Sequence, residues 1–551
     1  MNTFNTTKMK KTSIFSIIFL LAITQAFAQE KKPKLVVGII VDQMRQEYLY
    51  RYEEHLSEDG FKRLIKDGFE LKNTHYNYVP TSTGPGHASV YSGTTPTMHG
   101  IVANDWYSRQ LQGDEYCAYD PKQKAVGTDA KGGDRSPENL MTTTITDELK
   151  ISTLFESKVI GVSLKDRGAI LPAGHSADAA YWYDTKSGNF ITSTYYMDEL
   201  PKWVQDFNKK KLAEKYLQKT WNTVLPISEY TASLEDNNPY EHIFKGKSEP
   251  VFPYNLKKLS KENGGTKMLP LTPYGNDIVN DMAIATIENE KMGQGKVTDF
   301  LAVSYSSTDK IGHAFGPQSI EVQDTYLRLD QNIADLLKKL DEKVGKGNYL
   351  VFLTADHAAV EVPQFLVDHK MPGGYFDDSN LINDLNIYVS QRVGKGDWIE
   401  AVSERNVFIN YLETDHKKVD RKRIQDLVSE YLISLEGIDS AYPAYILKGL
   451  PYDEHSLKGH INRGYNQKRS GDVIYSLQSG WLASDKRTGT SHGCGFTYDT
   501  HVPLIWYGWN VPQGSSNRLY KITQIAPTLS QMLEIKVPSG CTFEPIYEIT
   551  E

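Results

Sequence analysis

The stretch KLVVGIIVD, from Lys34 to Asp42, decides the fold class. Its apolar, β-branched residues predict a buried strand, and an aspartate follows directly. Similar apolar runs recur at 158–164 (KVIGVSL), 300–305 (FLAVSY), 349–354 (YLVFLT) and 502–507 (VPLIWY). Leucines and isoleucines at helical spacing predict an amphipathic helix over 324–340. Buried strands that alternate with helices predict an α/β fold, with a largely parallel central sheet covered by helices on both faces.

Two stretches interrupt this alternation and predict insertions into the core. Residues 176–267 are rich in Tyr, Trp, Lys and Asn, and residues 371–466 are similarly mixed but contain two amphipathic helical segments. We expect the two insertions to pack together as a cap over the site. The predicted organisation is a catalytic core in three parts, 29–175, 268–370 and 467–551, with cap insertions at 176–267 and 371–466.

The N-terminus predicts export. Lysines within residues 8–11 precede a short apolar run, and the small-x-small motif AFA at residues 26–28 precedes Gln29. A bilayer span needs about 20 apolar residues, and this run has only about half of that. Residues 1–28 therefore predict a cleaved signal peptide, and no other stretch is apolar enough to cross a membrane. We expect a protein secreted across the inner membrane, with the periplasm as its destination.

Composition narrows the class of function. The 551 residues include 61 Lys and Arg against 69 Asp and Glu, a formal net charge of −8. A mildly acidic chain without a dominant basic block argues against nucleic acid as an obligate partner. Outside the cytosol, any one pair of the three cysteines, Cys117, Cys494 and Cys541, could form a disulfide. The absence of a C-x-x-C spacing argues against a thiolate zinc site.

Acidic residues and histidines cluster at the ends of the predicted strands, where α/β sheets place their ligand crevice. Six residues share this placement: Asp42, Asp309, His313, Asp356, His357 and His492. Taken singly, each aspartate is more simply explained as a helix cap and each histidine as a hydrogen-bonded structural residue. Together, the mixture of carboxylates and imidazoles suits two divalent, zinc-like ions. His501 also lies close to the last strand and is an alternative to His492.

Thr83 is the candidate nucleophile. It opens the segment TGPGH at residues 83–87, which predicts a helix start, so a plain helix cap is the simpler structural role. A free threonine hydroxyl is a poor nucleophile near neutral pH, but a metal ion and a helix N-terminus would both stabilise its alkoxide. Gly84 and Gly86 let the backbone approach closely. The neighbouring metal cluster favours the nucleophilic role, with Thr83 itself as a metal ligand.

The order of these motifs resembles that of the alkaline phosphatase superfamily. It runs from IIVDQM (39–44) through TSTGPGHASVYSGTTPTMHGI (81–101), D-x3-H (309–313) and TADH (354–357) to SHG (491–493). More closely, the chain resembles the secreted flavobacterial phosphate-irrepressible alkaline phosphatases, which use a threonine nucleophile. The similarity spans nearly the whole mature chain, so it bears on the fold as well as on the site.

The resemblance implies a specific set of zinc ligands. One zinc ion would be held by Asp42, Asp356 and His357, and the other by Asp309, His313 and His492. The nucleophile Thr83 would lie between the two ions. The glycine-flanked S-H-G motif favours His492 over His501 for the second ion.

Three further residues are implied to bind the phosphoryl group. Asn104 matches an asparagine that binds a non-bridging phosphoryl oxygen, and Lys165 and Arg167 match a K-x-R pair that contacts the same group. Independently, residues i and i+2 of an extended segment share a face, so both cations can point at one anion. Without the resemblance, a solvated loop is the simpler explanation of the pair.

The implied function is a secreted two-zinc alkaline phosphatase that hydrolyses small phosphate monoesters through a phospho-Thr83 intermediate. The main alternative is a phosphodiesterase or nucleotide pyrophosphatase of the same superfamily, which shares the two-metal core. A non-catalytic secreted binding protein is a third possibility, against which the complete ligand set argues. The sequence leaves the physiological substrate and the oligomeric state open.

Overall fold

The computed structural model describes residues 32–129, 132–449, 453 and 455–551. The predicted signal peptide, residues 1–28, lies outside the described residues. Within the described ranges, none of the helices combines the length and the apolar character that a membrane span requires.

An 11-stranded sheet forms the centre of the structure. From one edge to the other, ten of its strands are His501–Val502, Phe69–His75, Leu504–Gly508, Tyr349–Thr354, Leu35–Val41, Asp299–Tyr305, Val159–Ser163, Ala179–Asp184, Asn189–Ser193 and Ala125–Val126. The eleventh strand, Gly514–Lys521, pairs with Phe69–His75. The first predicted strand, Leu35–Val41, therefore lies in the middle of the sheet.

The sheet is mixed, with a block of parallel strands in its middle. Five consecutive strands, from Tyr349–Thr354 to Ala179–Asp184, run in the same direction. Antiparallel strands flank them on both sides, at Leu504–Gly508 and at Asn189–Ser193. The predicted α/β class is confirmed, but the sheet is mixed rather than largely parallel: among its described strands, parallel pairing is confined to these five and to Phe69–His75 with Gly514–Lys521. A buried strand is a continuous apolar run whichever way its neighbour points, so the run at 502–507 did not reveal its direction.

The register of the central strands brings the predicted ligands to one edge. All seven residues of Leu35–Val41 are buried and pair in register with Asp299–Tyr305, ending at Val41 opposite Tyr305. On the other side, Ile40 pairs with Thr354. Because the three strands are parallel and end together, the residues that follow them meet at the same edge of the sheet.

Helices of very different lengths connect and cover the strands. The α-helices are Tyr48–Arg51, Phe61–Asp67, Thr83–Ser92, Pro96–His99, Ile145–Ser152, Asp166–Ala173, Lys202–Lys209, Leu212–Tyr216, Leu256–Glu262, Tyr274–Asn289, Ser307–Phe315, Ile320–Lys343, Pro363–Asp368, Leu381–Val393, Tyr411–Lys417, Arg421–Ile433, Ala444–Leu447, Leu457–Gly464, Thr497–Thr500, Ile525–Leu533 and Tyr547–Thr550. Short 3₁₀ helices occur at Glu53–His55, Ile227–Glu229, Gly265–Leu271 and Ile522–Gln524. The helix predicted over 324–340 is confirmed and is longer, Ile320–Lys343.

The second predicted insertion contains a hydrophobic core of its own. Three of its strands form a four-stranded antiparallel sheet with Val473–Leu477, which follows the predicted insertion; the order is Ile399–Ser403, Asn406–Ile409, Val473–Leu477 and Ile438–Pro443. The helices Leu381–Val393 and Arg421–Ile433 contribute buried residues to the same core. This sheet and its two helices, called the second core below, are separate from the central sheet and its helices, the main core.

The first predicted insertion is integrated with the main core. Its strands Ala179–Asp184 and Asn189–Ser193 are part of the central sheet. Its aromatic residues Trp221, Phe244 and Tyr254 are buried in the main hydrophobic core. The bounds of the two insertions, 176–267 and 371–466, stay predictions. Three small ribbons complete the fold: Asp105–Ser108 with Gly113–Tyr116, Thr220–Trp221 with Tyr254–Asn255, and Gly374–Phe376 with Trp481–Ala483.

Close packing of a helix on the central sheet generates a first prediction, at Gly161. A β-carbon at this position would lie 2.2 Å from the carbonyl oxygen of Ala169, which belongs to the helix Asp166–Ala173. Backbone cannot yield as a side chain can, so we expect Gly161→Ala to destabilise the protein by about 1–3 kcal/mol. Thermal unfolding should show a melting temperature several degrees lower. Gly295→Ala is the control, since the nearest atom to its β-carbon would be 4.0 Å away; equal melting temperatures for the two variants would contradict the packing argument.

Candidate active site

Three aspartates at the edge of the parallel strands form the centre of the site. Asp42 directly follows the strand Leu35–Val41, and Asp356 follows the neighbouring strand by two residues. Asp309 lies in the first turn of the helix Ser307–Phe315, which begins just after the third strand. All three side chains are buried. Helical spacing puts His313 on the same face as Asp309, and its Nε2 lies 3.0 Å from Asp309 Oδ1.

The predicted ligands form two overlapping clusters. The potential ligand atoms of Asp42, Asp356 and His357 all lie within 4.8 Å of one another, and so do those of Asp309, His357 and His492. The imidazoles of His357 and His492 stack with their centroids 3.5 Å apart. The two clusters thus contain five of the six predicted ligands, with His357 common to both, and the sixth, His313, lies against Asp309. Which ligand serves which ion stays a prediction.

The donor atoms in these clusters fit a divalent metal. Both carboxylate oxygens of Asp42, Oδ2 of Asp356 and Nε2 of His357 are buried without a hydrogen-bond partner. Buried polar atoms without a partner are rare and costly, so each such atom indicates a missing interaction. Carboxylate oxygens and imidazole nitrogens are the donors that zinc-like ions prefer. The residues present therefore fit the metal ions that the fold family implies.

Hydrogen bonds orient the three imidazoles for this role. In each ring Nδ1 lies 2.7–2.9 Å from a backbone carbonyl oxygen: Thr490 for His313, Ala358 for His357 and Thr81 for His492. An Nδ1–H that donates to a carbonyl leaves Nε2 as the free donor atom for a metal. Burial lowers the pKa of His357 and of His492, which keeps these two imidazoles neutral as metal ligands must be.

The carboxylates perturb one another strongly. Burial, and then the charges of Asp309 and Asp356, raise the pKa of Asp42 to about 6. Burial also raises the pKa of Asp356 to about 6, against the opposing effect of Lys165. For Asp309 burial acts in the same upward direction, but His313 and Lys165 outweigh it and hold the pKa well below its usual range. The cluster therefore concentrates negative charge that only nearby cations can stabilise.

Lys165 supplies one such cation and also reaches the candidate nucleophile. Its Nζ lies 2.8 Å from Asp309 Oδ2 and 3.1 Å from Thr83 Oγ1. It also lies 2.6 Å from Asp42 Oδ2, although without the angle of a hydrogen bond. Lys165 is buried, so it does not lie in a solvated loop.

Thr83 lies at the helix start that the sequence predicted. It is buried and is the first residue of the helix Thr83–Ser92, whose cap position is occupied by Ser82 rather than by Thr83 itself. A β-carbon at Gly86 would lie 2.3 Å from the carbonyl oxygen of Asp356, so glycine lets the helix start pack directly on the ligand segment. The hydroxyl of Thr83 is therefore held beside the carboxylate cluster by close backbone packing.

Asn104 is bound to the loop of the candidate nucleophile. Its side-chain oxygen accepts a hydrogen bond of 2.8 Å from the backbone N–H of Gly84. An amide whose oxygen is engaged in this way keeps its two N–H donors for an anion. Cys117 packs against the same place, where its backbone N–H donates to the carbonyl of Asn104.

Arg167 is held by a side chain that the sequence argument missed, Tyr116. The guanidinium donates to the Tyr116 hydroxyl at 3.1 Å, and that hydroxyl in turn donates to Asp166. Arg135 completes the network with a bond of 2.8 Å to Asp166. The prediction that Lys165 and Arg167 share one face of an extended segment is wrong. Lys165 is extended, but a helix begins at Asp166 and contains Arg167.

Two further residues of the ligand cluster escaped the sequence argument. Gln43 bridges the aspartates: its backbone N–H donates to Asp356 at 3.2 Å, and its side-chain amide donates to Asp309 at 2.9 Å. In the sequence, only the position of Gln43 next to Asp42 could have indicated this role. Asp499 binds the loop after His492, where its Oδ2 accepts from the backbone N–H groups of Gly493 at 2.7 Å and Cys494 at 2.8 Å.

His501 does not belong to the ligand clusters, and the cysteines do not form a disulfide. The ring of His501 stacks on His75 and its Nε2 lies 2.9 Å from the carbonyl oxygen of Lys72, away from the ligand clusters. All three cysteines are free thiols, so none of the possible disulfides is present.

The central sheet and the paired ligand clusters define a member of the alkaline phosphatase superfamily. The sequence profile described as "Type I phosphodiesterase / nucleotide pyrophosphatase" matches residues 36–502, and the chain belongs to this family.

Similar proteins cover almost the whole chain. The chain is 46% identical over 533 residues to a protein named "Calcium-transporting ATPase" from Myroides odoratus, a match that covers 95% of this chain and 96% of that protein. It is 44% identical over 524 residues to alkaline phosphatase PafA from Elizabethkingia meningoseptica, covering 94% of each. The crystal structure of wild-type PafA matches with a TM-score of 0.90 over 94% of this chain and 99% of that one.

The role of Asp499 generates a prediction about metal affinity. Asp499→Ala would leave two buried backbone N–H groups without acceptors and would release the loop that holds His492. We expect metal affinity to fall by about 10- to 100-fold, as for other residues that orient metal ligands. Competition with a chromophoric zinc chelator measures this affinity. Asp439→Ala, at an exposed strand position of the second core, is the control; equal affinities in the two variants would contradict the orienting role.

Proposed function

We propose that this protein is a secreted alkaline phosphatase that uses two zinc ions to hydrolyse phosphate monoesters. The observation that carries the proposal is the position of the Thr83 hydroxyl, 3.1 Å from Lys165 Nζ and beside a cluster of buried, partnerless metal-ligand atoms. The 44% identity to an enzyme named alkaline phosphatase over 94% of the chain supports the same activity.

Thr83 would act as the nucleophile. Its Oγ1 forms a bond to phosphorus while the bond from phosphorus to the leaving oxygen breaks, and the hydroxyl proton leaves to solvent. When bound, the two zinc ions would supply positive charge for the attacking and leaving oxygens. Water then attacks phospho-Thr83, phosphate departs and the threonine hydroxyl is restored. The residues that would hold the ions are Asp42, Asp356 and His357 for one and Asp309, His313 and His492 for the other.

Three side chains would bind the phosphoryl group. The amide N–H donors of Asn104 and the guanidinium of Arg167 are available for non-bridging oxygens. Lys165 contacts the carboxylates and Thr83. Once metal ions neutralise the carboxylates, its ammonium can turn to the phosphoryl group. Positioned charges of this kind supply most of the rate enhancement in phosphoryl transfer.

Export is part of the proposal. The predicted signal peptide at residues 1–28 supports secretion across the inner membrane into the periplasm. N-terminal sequencing of the protein recovered from a periplasmic extract should begin at Gln29, and recovery of the uncleaved chain in the cytoplasm would contradict this location.

A phosphodiesterase is the second candidate, because the matching family profile is described by that activity. The two activities differ in the charge of the substrate. A monoester presents three non-bridging oxygens and about two negative charges, whereas a diester presents two such oxygens and one charge. The cations Lys165 and Arg167 suit the more highly charged monoester.

The proposed nucleophile generates a prediction for Thr83 variants. Thr83→Ala should lower kcat for p-nitrophenyl phosphate at least about a thousandfold, since the attacking oxygen is lost. Thr83→Ser should stay within about tenfold of the wild type, because a primary hydroxyl can take the same position. Metal analysis should find about two zinc ions in all three proteins, because the six other ligands remain. Near-normal turnover by Thr83→Ala would show that water attacks phosphorus directly.

The phosphoryl-binding pair generates the prediction that separates the two candidate activities. Each lost charge-assisted hydrogen bond costs about 1.5–3 kcal/mol. The variant Lys165→Ala/Arg167→Ala should therefore lose at least about a hundredfold in kcat/KM for aryl monoesters, if the two losses add. Paired aryl diesters should lose much less, since they carry one charge fewer. Equal losses on both substrates would assign the pair a structural role and favour the phosphodiesterase.

A further inference from the structure

The second core carries a tight turn at residues 403–406 that packs against the segment after His492. Ser403 pairs with Asn406, and the two residues between them, Glu404 and Arg405, have left-handed backbone angles, with φ of 48° and 60°. Two consecutive left-handed residues form the tight turn that suits the twist of a β-hairpin. The carbonyl of Arg405 also accepts a hydrogen bond of 3.1 Å from the backbone N–H of Tyr475 on the next strand. The position of Arg405 is therefore fixed by the sheet on which it lies.

Arg405 packs directly against the loop of a predicted metal ligand. A β-carbon at Gly493 would lie 2.1 Å from Nη2 of Arg405, so the guanidinium occupies the space that a side chain at this position would need. Gly493 follows His492. Arg405, Gly493 and Val102 line one narrow slot, and Val102 precedes Asn104 by two residues. The guanidinium therefore lies between the segment of a predicted zinc ligand and the segment of a predicted phosphoryl-binding residue.

The hairpin is anchored on the same side of the site. Its first strand contacts the strand Asp105–Ser108, which directly follows Asn104. Tyr107 donates a hydrogen bond of 2.8 Å to Glu400, and Arg109 donates to the other oxygen of the same carboxylate at 3.0 Å. These contacts tie the second core to the phosphoryl-binding segment, so Arg405 keeps its position relative to the reacting group.

The guanidinium of Arg405 has unused donors in the part of the chain that the structure describes. Among the residues that the structure describes, its guanidinium donates no hydrogen bond and forms no ion pair within 4 Å, although the residue is half-buried. Arg45, by contrast, donates to the carbonyl of Ala359 and to Glu361, and Arg135 is bound by Asp166. A partly desolvated guanidinium without an acceptor is unfavourable, and its planar set of donors matches a carboxylate or a phosphate.

We propose that Arg405 binds an anionic group on the leaving group of the substrate, so that the enzyme favours phosphate monoesters whose alcohol carries a second negative charge. This inference rests on the proposed phosphatase function. The non-bridging phosphoryl oxygens are already served by Asn104, Lys165 and Arg167. Arg405 belongs to the second core and packs against Gly493, so we assign it to the part of the substrate beyond the scissile oxygen. Its fork would bind a carboxylate or a second phosphate there through two parallel hydrogen bonds.

The test compares phenyl phosphate with 4-carboxyphenyl phosphate. The quantity measured is the ratio of their kcat/KM values, 4-carboxyphenyl phosphate over phenyl phosphate, because differences in intrinsic reactivity cancel when enzymes are compared. Arg405→Gln should lower this ratio about tenfold relative to the wild type. Arg405→Lys keeps the positive charge but cannot donate two parallel hydrogen bonds, and it should lower the ratio by only about threefold. Arg392→Gln is the matched control, since this arginine lies on an outer helix of the same core with its guanidinium over Tyr388; its ratio should equal that of the wild type.

The outcomes separate the inference from the function on which it rests. An unchanged ratio in Arg405→Gln, with wild-type melting temperature and zinc content, would overturn the role of Arg405. If Arg405→Gln does not fold, Arg405→Lys decides, and an unchanged ratio in that variant overturns the role equally. Failure of the wild type to hydrolyse either substrate would instead contradict the proposed phosphatase activity.

Discussion

Three carboxylates buried within a few ångströms of one another are the constraint on which the rest of the site depends. Asp42, Asp309 and Asp356 follow parallel strands that end together, so the sheet forces their charges into one place. Neighbouring negative charges in a buried site raise each other's proton affinity unless cations lie close by. This concentration of negative charge explains why the ammonium of Lys165 lies against the carboxylates. It also explains why the carboxylates and the imidazole Nε2 atoms together fit divalent ions.

Residues outside the ligand set hold the ligand-bearing segments and Thr83 in place. Gln43 ties together two aspartates, Asp499 binds the loop of His492, and Gly86 allows the helix of Thr83 to pack on the segment of Asp356. None of these residues needs to touch a substrate to matter. Their effect is positional, because a nucleophile contributes fully only when its oxygen is held close to the atom that it attacks.

Under the two proposals made above, the two cores would divide the work of recognition. The central sheet and its helices supply the ligand clusters and Thr83, together with the side chains proposed to bind the phosphoryl group. The second core approaches the same site from another direction, through the turn at Arg405. If Arg405 binds the leaving group as proposed, substrate choice would depend on a different core from the one that carries the reacting groups.

The α/β class, the three central strands and the six residues that meet at their ends could be predicted from the sequence, because each is a local pattern: an apolar run, or a polar residue at its end. The sequence did not determine that Leu504–Gly508 runs antiparallel, since burial hides direction. The helix that begins at Asp166 and the contacts of Gln43, Tyr116, Asp499 and Arg405 could not be predicted from it. Those contacts join distant parts of the chain, such as Gln43 with Asp356, 313 residues apart. They are visible only in the folded chain, because hydrogen bonding and packing depend on distances in space that local periodicity does not encode.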